Sequence, residues 1–182
     1  MKKAVPIVLF LALVTCAFSG CVENEFKPTP VPTMPARTAP PLPAQAIPTR
    51  TAVGIPPERL EQIYFDKATE LNYRRISITT RSQDALADYI DGKTRLDVFK
   101  ILYGMYTEDM YEVVNEMTSL NPPPRYREYH SHCLKSTNLL YSSMLEFTLY
   151  LEDGKMYHLS KATDLLEESI RETDLAKASI PT

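Results

Sequence analysis

Between Leu96 and Leu120 the apolar side chains recur at alternating steps of three and four residues: Leu96, Phe99, Tyr103, Tyr106, Met110, Val113, Met117 and Leu120. That rhythm follows one face of an α-helix, whereas a strand would alternate every second residue. A heptad seam held this long must be covered by other helices, because one amphipathic helix cannot bury its own stripe. The rest of the chain is therefore read for helices that could supply the cover.

Three further stripes are present. The first runs Leu60, Tyr64, Ala68, Leu71, then Ile78, Leu86 and Ile90, with a polar interruption at Arg75. Its middle, "YRRISITTRS", holds so many β-branched and hydroxyl residues that a weak helix, a kink or a short break is expected there. The third runs Tyr126, Tyr129, Cys133, Thr137, Leu140, Met144, Phe147, Leu151, and the fourth Leu159, Ala162, Leu166, Ile170, Thr173, widened by Leu165. Gly92 and Gly154 stand where helices end, and the "NPPP" at 121–124 stops the second helix. Thr94 with Asp97 makes an N-cap pair for the second helix. The loops are short and no strand pattern competes, so the expectation is an all-α, antiparallel up-down four-helix bundle over residues 58–180.

The N-terminal third has a different composition. Lys2 and Lys3 precede an apolar run from Ala4 to Phe18, about 22 Å as a helix against a hydrocarbon core of about 30 Å. A basic start, a short apolar core and small residues together fit a cleaved signal peptide at residues 1–20. Residues 21–57 form a Pro/Thr-rich linker in which ten of the thirty residues from Pro28 to Pro57 are proline. Proline fixes φ and removes a donor, so a disordered, semi-rigid spacer is expected. At about 3.1 Å per residue its reach is up to roughly 90 Å.

The stretch Phe18-Ser19-Gly20-Cys21 resembles the lipobox of prokaryotic lipoproteins, with Phe18 standing where leucine is usual. The resemblance implies cleavage before Cys21 and a covalent diacylglyceryl group on its sulfur, which would anchor the chain at the extracytoplasmic face of a prokaryotic membrane. Val22 rather than aspartate follows Cys21, which would allow outer-membrane sorting where an outer membrane exists. The same residues also fit ordinary signal-peptidase cleavage after Ser19, with Ala17 and Ser19 as the small pair, which would give a secreted soluble chain.

Charge excludes one class of partner. Residues 56–182 hold 15 basic and 21 acidic residues, a net −6, the wrong sign for a nucleic-acid surface. With Cys133 the sole cysteine beyond residue 21, no internal disulfide is expected there.

Residues that could carry chemistry are few. His130, His132 and Cys133 in "HSHC" suggest metal ligands, but on a helix only His130 and Cys133 share a face, and an antiparallel hairpin turning at Gly154 keeps His158 away from them. No metal site and no catalytic residue is expected. Arg74, Arg75 and Arg81 form a basic run expected to face acidic turns such as Asp164, Glu167 and Glu168, or solvent. Tyr103, Tyr106, Tyr126 and Tyr129 fall on core stripes with Met110, Met117 and Met144, where large rings and thioethers can line a ligand cavity. Gly104, within the second helix, suggests either a close helix approach or a tolerant position.

The function expected from the sequence is a non-enzymatic, membrane-tethered module that meets a protein or a small ligand through its bundle. Two rival expectations are a small-ligand or metal-dependent activity inside the Tyr/Met-lined interior, and a purely structural spacer. No cofactor beyond the lipid on Cys21 is expected.

Overall fold

A computed structural model describes residues 56–181. The signal, Cys21 and the linker as far as residue 55 lie outside the described residues. Four helices follow one another: α1 Pro57–Ile90, α2 Leu96–Ser119, α3 Arg127–Asp153 and α4 Met156–Ala178, with a 3-10 turn at Pro124–Tyr126 before α3. Among the described residues there is no strand. The architecture is the expected all-α four-helix bundle.

Cross-helix contacts show the up-down order. Arg74 and Arg81 on α1 meet Glu116 and Asp109 on α2, so the numbers rise on one helix as they fall on the other. Thr137 on α3 meets Met117 of α2 while Phe147 meets Tyr103. Ser136 and Ser143 on α3 meet Ser169 and Ala162 on α4. Each consecutive pair is thus antiparallel.

The core follows the stripes. Phe99, Tyr103, Met110, Val113 and Met117 of α2 are buried against Leu71, Ile78 and Leu86 of α1, Leu140, Met144 and Phe147 of α3, and Leu159, Ala162 and Leu166 of α4. Its aromatic end is a chain of rings: Tyr89 stacks on Phe99 at 4.9 Å, and Phe147 lies 5.0 Å from Tyr103 and 5.9 Å from Tyr150. Rings at these separations add to plain area burial. Leu60 and Leu96, the first residues of their stripes, are exposed because each lies in its helix's opening turn, beyond the covered core.

Gly92 at φ +73° and Gly154 at φ +69° take the left-handed conformation that ends a helix and that a Cβ would disfavour. The polar middle of α1 is helical without a break, one of the outcomes expected of it; Arg75, Thr79 and Ser82 lie on its buried face, and Thr79 Oγ1 donates to the Arg75 carbonyl at 2.8 Å. Two expectations are corrected. Thr94 does not cap α2. The cap residue is Arg95, which makes no side-chain cap bond and instead grips Asp97 through Nε at 3.1 Å and Nη2 at 3.0 Å. Arg74 and Arg81 do not face residues 164–168, because their acidic partners Glu116, Glu112 and Asp109 are all on α2, while Arg75 points to Ser136 on α3.

Candidate functional site

The α3–α4 hairpin is the closest-packed pair, and the reason is residue size. Ser136, Ser143, Ala162, Ser169 and Ala176 are all buried along the contact. Small side chains at heptad spacing let two backbones approach closely enough for a hydroxyl to reach the neighbouring carbonyl. Ser169 Oγ donates to the Ser136 carbonyl at 2.9 Å and Ser143 Oγ to the Ala162 carbonyl at 2.7 Å.

These contacts are related by a local two-fold, and the sequence carries the same symmetry. At an offset of 26 residues the chain repeats itself: His132 and His158, Lys135 and Lys161, Thr137 and Thr163, Leu139 and Leu165, Leu140 and Leu166, Ser143 and Ser169, Glu146 and Glu172, Leu149 and Leu175. Each copy's histidine and lysine, one helical turn apart, grip the other copy's glutamate. His132 Nδ1 lies 2.6 Å and Lys135 Nζ 2.7 Å from Glu172; His158 Nδ1 lies 2.7 Å and Lys161 Nζ 2.5 Å from Glu146. The reading by stripes missed this repeat, because it compared apolar positions only. A direct search for self-similarity would have found it.

A second polar cluster occupies the junction of α1, α2 and α3. Arg75, only 5% exposed, donates from Nη1 to Ser136 Oγ at 3.0 Å, and the Tyr64 hydroxyl lies 3.3 Å from His130 Nδ1. Tyr64, Arg75, Tyr129, His130 and Cys133 line a space of about 10 Å³, room for about one water. Burial raises the Tyr64 and Tyr129 hydroxyls above their ordinary pKa and pushes His130 below its own, so this cluster favours neutral rings.

The four tyrosines singled out in the sequence do not converge. Tyr129 lines the small space, and Tyr126 lies beside it with its ring 5.6 Å from Tyr64. Tyr103 is buried in the aromatic end of the core, and Tyr106 packs partly buried under Arg81, whose guanidinium carbon lies 5.5 Å from the ring centre. The histidines separate as well: His130 points to α1, His132 to Glu172, and His158 to Glu146 and Asp153. Among the described residues no group of three or more histidine, cysteine or carboxylate side chains is placed to hold a metal.

An exposed apolar surface lies on the side of α2 away from the core. Val98, Ile101 and Met105 are 44%, 66% and 57% exposed. Their steps of three and four place them in line along the helix, so α2 carries a second, outward seam. Charged residues flank it. Lys93, Arg95 and Asp97 lie exposed at the N-terminal end, and Glu108 and Glu112 lie exposed beyond Met105. In the isolated chain these charges make local, exposed pairs: Lys93 with Asp88 and Asp91, Arg95 with Asp97, and Glu112 with Arg74.

Among the described residues no helix is long and apolar enough to cross a membrane. Comparison of the chain with protein-family models, curated proteins and solved structures finds no match.

Proposed function

We propose that the chain is a lipid-tethered extracytoplasmic docking module. A diacylglyceryl group on Cys21 holds it at a prokaryotic membrane, the proline-rich stretch spaces the bundle from the surface, and the outer face of α2 meets a protein partner. The observation that carries the docking role is the exposed seam of Val98, Ile101 and Met105. Single exposed apolar residues are ordinary on any protein surface. Three in line on one helix, bracketed by charge, form the kind of rimmed apolar patch that marks a contact surface.

The tether is supported by the lipobox-like Phe18-Ser19-Gly20-Cys21 and by the spacer that follows it. The acidic bundle has the wrong net charge to adhere to anionic headgroups unaided. Two acyl chains, at about 0.8 kcal/mol per buried methylene, anchor stably where one does not. The test compares the full chain with Cys21→Ser. The wild type is expected in the membrane fraction with an intact mass that includes the lipid, and the variant in the soluble fraction without it. An unmodified wild-type mass overturns the tether. A photo-crosslinking residue at position 101 tests the docking face, and absence of any adduct there overturns it.

A further inference from the structure

The histidines divide between two contacts. His132 and His158 face glutamates across the α3–α4 pair. His130 turns the other way: it is 8% exposed, its Nδ1 lies 3.3 Å from the Tyr64 hydroxyl of α1, and the two rings meet edge-on at 5.8 Å. We infer that His130 is the catch of a proton-operated latch, whose charging frees the opening turns of α1, residues 57–66, while the α3–α4 hairpin stays closed. This goes beyond the docking reading and does not rest on it.

What surrounds the ring makes it a catch. From α1 come Tyr64 and the cation Arg75, from α3 Tyr129 and Cys133, and from α2 the apolar Met117 and Leu120; none of the residues lining this space is a carboxylate. Tyr126, in the turn before α3, packs on Tyr64 at 5.6 Å. An imidazolium sealed here loses its water and gains no carboxylate in return, so a proton on the ring must be met by opening. α3 cannot supply the opening, because serine hydroxyls bind it to α4 at Ser136–Ser169 and Ser143–Ala162. α1 can. Tyr64 is its first buried residue, and the ion pair of Lys67 with Glu116 at 2.9 Å pins it to α2 only beyond that point. Ahead of it Glu61 meets Arg125 in a partly exposed pair, which holds weakly. Acid has the opposite effect across α3–α4. There a charged His132 faces Glu172, and a charged His158 faces Glu146 and Asp153, which adds attraction.

The experiment is hydrogen exchange of the full chain at about pH 7.5 and 5.5, read peptide by peptide and corrected for the intrinsic exchange rate at each pH. A histidine that charges only in the open form, with the ordinary pKa of about 6.5, raises the open population about tenfold over that interval. The amides of residues 61–66, past the unbonded first turn of α1, should therefore lose about tenfold in protection. Those of α4 should keep theirs. In His130→Gln the loss on α1 should vanish, because glutamine does not titrate. His132→Gln leaves the α1 junction untouched and should retain the loss, which keeps the latch open to refutation even where His130→Gln does not fold. No loss in the wild type overturns the inference. So does a loss shared equally by all four helices, a loss undiminished in His130→Gln, or one abolished in His132→Gln.

Discussion

Ser136 and Ser169 each donate a side-chain hydrogen bond to the other's main-chain carbonyl, both at 2.9 Å. The exchange is possible only because nothing larger than a hydroxymethyl group separates α3 from α4 at that level. Removing the hydroxyl and adding bulk should therefore have different costs. Ser169→Ala loses one net hydrogen bond, about 1 kcal/mol. Ser169→Leu must also force the helices apart, and overpacking of this kind adds about 1–3 kcal/mol. Urea unfolding of the two variants measures the gap as a shift in midpoint at constant slope. Equal midpoints for alanine and leucine would show that the close approach contributes nothing.

Gly104 gives the opposite sign. A Cβ built there meets nothing within 4 Å, so the close-approach expectation does not hold and the position is simply open. Gly104→Ala should raise stability by about 1 kcal/mol, the propensity difference inside a helix. A thermal melt reads this directly, and a lower melting temperature would mean that α2 needs the glycine for something outside the described residues.

The architecture was legible in the sequence because it depends on apolar periodicity, which survives any choice among leucine, methionine and tyrosine. What periodicity could not show is polar content on a buried face. Arg75, Thr79 and Ser82 read as an interruption, yet they sit inside because each finds a hydrogen-bond partner: Arg75 donates to Ser136 on α3, and Thr79 and Ser82 donate to carbonyls of their own helix. The four tyrosines do not converge for a related reason. Membership of a core stripe gives a side chain's direction but not its height along the bundle, and Tyr103 and Tyr129 lie at different levels. The partners of Arg74 and Arg81 were missed because helix order was inferred, while the rotation of each helix about its axis was not.

The reciprocal clamps make acid stability testable. The hydrogen bond with His158, then that from Lys161, holds Glu146 below the ordinary carboxylate value of 4.5. Lys135, then His132, does the same for Glu172. The other charges beside the clamps are Asp153, facing His158, and Glu168, facing Lys135. A depressed carboxylate contributes stability that is complete above its unfolded value and is lost as pH falls through the folded one. Both glutamates therefore steepen the loss of stability below about pH 4.5. Glu146→Gln and Glu172→Gln should each be less stable at neutral pH and show a shallower acid limb, with the double variant shallowest. Unfolding midpoints between pH 3 and 6 provide the measurement, and an unchanged slope in the double variant would remove the clamps from the account.

His130 sets a separate limb at higher pH. It is buried at the junction of α1 and α3, 3.3 Å from the Tyr64 hydroxyl, and burial alone lowers its pKa from the ordinary 6.5. The charged form is disfavoured in the fold but not in the unfolded chain, so the unfolded state takes up protons first as the medium acidifies. Stability is then complete above about pH 6.5 and drains as pH falls below it. His130→Gln keeps a polar group for the Tyr64 hydroxyl but cannot titrate. Its stability at neutral pH should fall by no more than about 1–2 kcal/mol, while its decline from pH 6.5 to 5 becomes shallower than the wild type's. His132 and His158 are present in both proteins, so subtracting one pH profile from the other isolates His130. Parallel profiles over that interval would mean that the ring takes a proton as easily in the fold as outside it, and would remove His130 from the account of acid stability.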